Sequence, residues 1–67
     1  MKEVKIEYVL YLPNGDIRSL KTSIPILNLS KYEIFVYDDI SYIVNDVITS
    51  YKDAEIIIRY DLIYVEK

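Results

Sequence analysis

Four carboxylates, Glu33, Asp38, Asp39 and Asp46, fall within residues 32–51 of this 67-residue chain, and no lysine or arginine interrupts them. Tyr32, Tyr37 and Tyr42 are interleaved with them. Carboxylates without neighbouring cations set up a field that attracts basic surfaces, and tyrosine supplies large amphipathic contact area at low entropic cost. The chemistry expected of this stretch is recognition of a basic protein, with Tyr32, Glu33, Val36, Tyr37, Asp38, Asp39, Tyr42 and Asp46 as contact residues. The plainer account of the same acids is that they keep one surface element solvated. The remainder of the chain carries seven acids against eight bases, so the net charge of −3 belongs to this stretch. Phosphate backbones are held by clustered Lys and Arg, so direct binding of nucleic acid is not expected.

Other chemistry is thinly provided for. The chain has no His and no Cys, which removes the commonest general base, the thiolate nucleophile, disulfides and Cys-type zinc sites. One glycine cannot build a glycine-rich phosphate loop. Asp38, Asp39 and Asp46 could approach one another and take a hard cation, but their spacing matches no calcium loop, and capping and solvation account for them better. A non-enzymatic protein without metal or cofactor is expected.

The elements that must position the acids follow from hydropathy. Val4, Ile6, Tyr8, Leu10 and Leu12 alternate with Lys5, Glu7, Val9 and Tyr11, the period-two signature of a strand. Pro13-Asn14-Gly15-Asp16 supplies turn chemistry, and a second strand is expected over residues 17–24, ended by Pro25. Residues 31–37 are ambiguous. Their aromatic and β-branched composition favours a strand, while Ser30-x-x-Glu33 has capping-box spacing and leaves a short helix as the alternative. Ile40, Ile43, Val44, Val47, Ile48 and Tyr51 recur at three- and four-residue spacing, which predicts an amphipathic helix with Asp38 and Asp39 as N-caps and Lys52 in its last turn. A long strand over residues 54–65 carries Ile56, Ile58, Tyr60, Leu62 and Tyr64 on one face, and Ile57, Ile63 and Val65 on the other.

The expected fold is therefore α+β: a single domain, residues 1–67, with a small antiparallel sheet of three to four strands and one amphipathic helix packed on one face. One helix covers one face. Val9, Tyr11, Ile57, Ile63 and Val65 are left for a second apolar face, and a homodimer through it is expected. The mixed charges of Met1-Lys2-Glu3-Val4-Lys5 do not read as a signal peptide, and no run reaches membrane-spanning length. A cytoplasmic location without membrane contact is expected.

The order of pieces carries a resemblance. Leu27-x-Leu29-Ser30-x-Tyr32-Glu33-Ile34, following a strand, a turn ending in Gly15 and a second strand, and then Asp53-Ala54-Glu55-Ile56-Ile57-Ile58, resembles the smallest class of phage-encoded uracil-DNA glycosylase inhibitors. The resemblance implies an acidic homodimer that mimics DNA, its carboxylates standing in for phosphates in the basic cleft of a host enzyme. Tyr32 would take the place of the family's contact aromatic and Glu33 that of its key carboxylate. Val36 falls where the family has a second contact tyrosine, with Tyr37 beside it. The chain departs from the pattern with Lys31 in place of an acid and with an insertion before the final strand. In the host cell's cytoplasm such a protein would be an inhibitor. Two other readings predict different partners: a counter-defence inhibitor of a CRISPR or restriction effector, and a structural or assembly protein that forms an oligomer.

Overall fold

A computed structural model describes residues 4–65. They form five strands, β1 (Lys5–Tyr11), β2 (Ile17–Thr22), β3 (Ile34–Tyr37), β4 (Ile40–Lys52) and β5 (Glu55–Tyr64). The strands make one curled, half-barrel sheet in the order β2-β1-β5-β4-β3. β1 and β5 pair in parallel, and the other three pairings are antiparallel. Parallel strands tend to be apolar on both faces, and β1 carries the unbroken apolar run Tyr8–Tyr11 while β5 carries Ile56–Ile58 and Leu62–Tyr64.

The expected α+β fold is overturned: among the described residues there is no helix, and the stretch assigned to one is β4. The cause is a bulge. Val44 pairs with Leu62 and Asp46 with Asp61, which leaves Asn45 as the extra residue. Before it Ile40, Tyr42 and Val44 face the core side, and after it Val47, Thr49 and Tyr51 do. A one-residue phase slip in a period-two strand turns the series 40, 44, 47, 51 into steps of four, three and four, which imitates a helical stripe. Ile43 and Ile48 lie on the opposite face. β-branched and aromatic residues fill the segment and suit the strand it forms.

The expected N-caps are likewise turn residues. Asp38 and Asp39 link β3 to β4 with φ of 53° and 65°, both left-handed, as a two-residue hairpin turn of the primed type requires. Lys52 pairs with Glu55 across the β4–β5 hairpin, whose turn is Asp53-Ala54. In the β1–β2 turn Gly15 has φ of 95° and its N–H donates to the Leu12 carbonyl at 3.0 Å. Strand formation over residues 31–37 holds for Ile34–Tyr37. The Ser30 N–H does donate to Glu33 Oε1 at 2.9 Å, as in a capping box, but Tyr32 at φ 72° stops any helix from growing.

The core lies on one face of the sheet. Ile6, Tyr8, Leu10, Leu12, Tyr42, Val44, Tyr60 and Leu62 are buried there, and Leu27, Leu29, Phe35 and Tyr37 pack against them. The missing helical lid is replaced by residues 23–33, a strap that runs from one sheet edge to the other. Two tyrosines hold it. The N–H of Ile26 donates to Tyr8 Oη at 3.1 Å, and that of Leu29 to Tyr60 Oη at 3.4 Å.

Candidate protein-binding surface

The acidic stretch is divided by the fold. Asp38 and Asp39 stand exposed at the tip of the β3–β4 hairpin. The β1–β2 turn, with Asp16, lies at the same end of the sheet, because β1 runs parallel to β5 and the start of β4 pairs with the end of β5. Asp16 and Asp38 are both close enough to Tyr42 to act on its hydroxyl. Asp16 therefore joins the two hairpin acids, although Arg18 Nη2 lies 3.5 Å from it in an exposed pair of small energetic weight. Asp16 was not among the residues expected from sequence, since linear distance hides the shared end.

Glu33 lies at the other end of β3, and its carboxylate is engaged by the Ser30 N–H. Its backbone is held too: the N–H donates to the Ser30 carbonyl at 3.1 Å and the carbonyl accepts from Val44 at 2.9 Å. Tyr32 beside it is 70% exposed, with Lys31 Nζ 5.2 Å from its ring centroid. Asp46 sits at the bulge, where Oδ1 accepts from the Val47 N–H at 2.9 Å, and faces Asp61 across the β4–β5 pair. Asn45 Nδ2 donates to Asp61 Oδ2 at 3.2 Å. Among the described residues no three acidic groups gather to hold a metal ion.

The remaining expected contacts separate by face. Val36 is exposed on the face opposite the core, paired with Ser41, while Tyr37 points to the core side and stacks on Phe35 at 6.1 Å. Tyr42 is corrected: it is 3% exposed, stacks on Tyr64 at 5.8 Å and presents no ring to a partner. Burial holds its hydroxyl above the ordinary tyrosine pKa, helped by Tyr64, Asp38, Tyr37 and Asp16.

No family model, curated protein or solved structure matches the chain. Among the described residues no helix is long and apolar enough to cross a membrane.

Val9, Tyr11, Ile57, Ile63 and Val65 fall on one face by strand register, the face opposite the core. Val9 is buried, Tyr11, Ile57 and Val65 are half-buried, and Ile63 is exposed. The fold adds Ile17, Ile34, Val36 and Ile48 to that face, all exposed. Sequence reasoning passed over Ile34 and Val36 in this role because the strand they belong to had no settled face. A groove of about 400 Å³ opens on the core side, between β2 and the strap, with Phe35 and Tyr37 of β3 on its far wall.

Proposed function

We propose that the protein acts by binding another protein through the acidic end of the sheet, with Asp38 and Asp39 as the leading contacts, and that the partner offers a basic cleft. The observation that carries this is the β3–β4 turn. Two adjacent aspartates occupy positions that glycine or asparagine fill with less strain, and their carboxylates are exposed, without a hydrogen bond to the turn they close. A residue kept against local preference at a surface tip is better explained by what its side chain meets. Asp16 reinforces the field from the neighbouring turn.

An inhibitor that mimics DNA is the form of this function that the Leu-x-Leu-Ser-x-aromatic-Glu motif suggests, and uracil-DNA glycosylase is its named target. In this chain that motif opens a turn and a strand, so the carboxylate offered to the enzyme moves from Glu33, which is already engaged, to Asp38 and Asp39. The test is the activity of purified glycosylase on a uracil-containing duplex with the protein in excess. Loss of activity supports the reading, and undiminished activity at micromolar protein removes this target.

The second apolar face supports pairing with another copy. Ile34 and Val36 are 61% and 62% exposed, an unusual waste of β-branched surface in a small domain. A two-fold dimer would bury them with Ile63 and Val65. Sedimentation across a concentration series tests it: a discrete dimer is expected, and a monomer at every concentration rules it out.

A further inference from the structure

We infer that the open edge of β2 is a docking site for an extended segment of a partner protein, added as a sixth strand antiparallel to β2, with apolar side chains in the groove and an acidic residue opposite Arg18. This goes beyond the acidic-end reading and uses different residues, so either can fail alone.

Hydrogen-bond parity identifies the outward-facing groups. The Leu12 N–H donates to the Asp16 carbonyl at 2.9 Å and the Leu12 carbonyl accepts from Gly15, so Leu12 turns both of its peptide groups towards β2. Lys5 turns its N–H the other way, donating to the Ala54 carbonyl at the β5 end. Peptide groups alternate along a strand, so Leu10, Tyr8 and Ile6 bond to their partners Arg18, Leu20 and Thr22. The N–H and C=O groups of Ile17, Ser19 and Lys21 therefore point outward, away from β1, along an edge that no strand among the described residues covers, the Ile17 carbonyl accepting a long bond from the exposed Arg18 Nη1 at 3.4 Å that a docked strand would replace.

The groove lies beside that edge. Arg18, Ser19 and Leu20 border it, Tyr8 and Leu10 of β1 line it together with Ile26 and Leu27 of the strap, and Phe35 and Tyr37 belong to the opposite edge strand. The curl of the half-barrel has brought its two edges to face one another across an apolar gap of about 400 Å³, within the size range of ordinary binding pockets. An added strand meets both needs at once: its backbone bonds to residues 17, 19 and 21, and the side chains opposite Arg18, Leu20 and Thr22 point into the gap. Leu20, 53% exposed, calls for an apolar neighbour. β2 carries Arg18 and Lys21 and no acid, and the one carboxylate beside Arg18, Asp16 at 3.5 Å, is an exposed and weak partner, so the complementary segment is acidic, with its carboxylate two residues from the side chain that meets Leu20.

The probe is a blocked peptide, Thr-Leu-Thr-Leu-Thr-Asp-Thr, titrated into the isotope-labelled protein and read by amide shifts and hydrogen exchange, beside a counterpart with Lys for Asp. Exchange protection gained at Ile17, Ser19 and Lys21, with Arg18, Leu20 and Thr22 unchanged, is expected. The Lys peptide should bind about fivefold more weakly, the effect of an exposed charge contact. Ser19→Pro removes one outward N–H and no ladder bond to β1, so it should fold and lose the peptide. Should Ser19→Pro fail to fold, Arg18→Glu takes its place, and the preference should invert towards the Lys peptide. Binding of neither peptide at millimolar concentration, equal affinity for both, shifts without protection at residues 17, 19 and 21, or protection of those amides by a second copy alone would each overturn the proposal.

Discussion

Tyr8 and Tyr60 stack with ring centroids 6.5 Å apart and planes inclined by 6°, and each hydroxyl accepts a backbone N–H from the same strap. Two strands that begin about fifty residues apart in sequence thus place a pair of polar tips where a chain without a helix needs its lid fastened. The strap in turn buries Leu27 and Leu29 against the sheet.

Tyr8→Phe and Tyr60→Phe should each destabilise the protein by about 1 kcal/mol, since each leaves a part-buried N–H without its acceptor while keeping the ring. The shorter bond, at Tyr8, should cost more. Urea denaturation measures the loss, and hydrogen exchange at Ile26 and Leu29 should rise separately in the two variants.

Deleting Asn45 removes the bulge but keeps Val44 opposite Leu62 and Asp46 opposite Asp61, so Val47, Thr49 and Tyr51 stay on the core side. What is given up is the local bend of the strand and the Asn45 contact to Asp61, so a loss of about 1–2 kcal/mol with the fold retained is expected. Circular dichroism with denaturant titration checks this. Asn45→Ala, which keeps the extra residue and gives up the contact to Asp61, should cost under about 1 kcal/mol.

Asp39→Gly should stabilise the β3–β4 hairpin by about 1 kcal/mol, because Asp-Gly fits a turn with two left-handed residues better than Asp-Asp does. The same change removes one carboxylate from the acidic tip. A higher melting temperature combined with weaker partner binding is the expected pair of results.

The raised pKa of Tyr42 fixes a pH dependence. A folded-state value above the unfolded one means that the folded protein holds the proton more tightly, so this contribution is whole below the ordinary value of 10.0 and is lost as pH rises through the folded value. Stability measured by denaturant should fall on that alkaline side, and Tyr42→Phe should make the fall shallower without altering its neutral-pH slope.

Much of this fold could be read from local pattern. The alternation of β1 and β5, the Asn-Gly turn, the strand stop near Pro25 and the composition of β3 all spoke for themselves. β4 did not, because a bulge at Asn45 makes two strand segments look like one helical stripe, and two aspartates that could cap a helix can equally close a primed turn. Ser30 and Glu33 formed their expected bond, but a left-handed Tyr32 gave it a different setting. The parallel pairing of β1 with β5 joins the two ends of the sequence, and nothing local encodes it. The site followed the same division: the exposed acids and the second-face residues of β1 and β5 were visible in sequence, whereas the burial of Tyr42, the nearness of Asp16 and the groove beside β2 depend on long-range curl.

The most direct measurement is inhibition of purified uracil-DNA glycosylase by the wild-type protein and by the Asp38→Asn/Asp39→Asn pair, at low and at moderate salt. Both substitutions keep the side-chain size and the turn, so folding is held constant. Inhibition by the wild type that weakens with salt, and that falls at least about tenfold in the double variant with a flatter salt dependence, is the expected result. Inhibition that is the same for both proteins, or none from either at micromolar excess, would contradict a binding function centred on the acidic tip of β3–β4 against this enzyme.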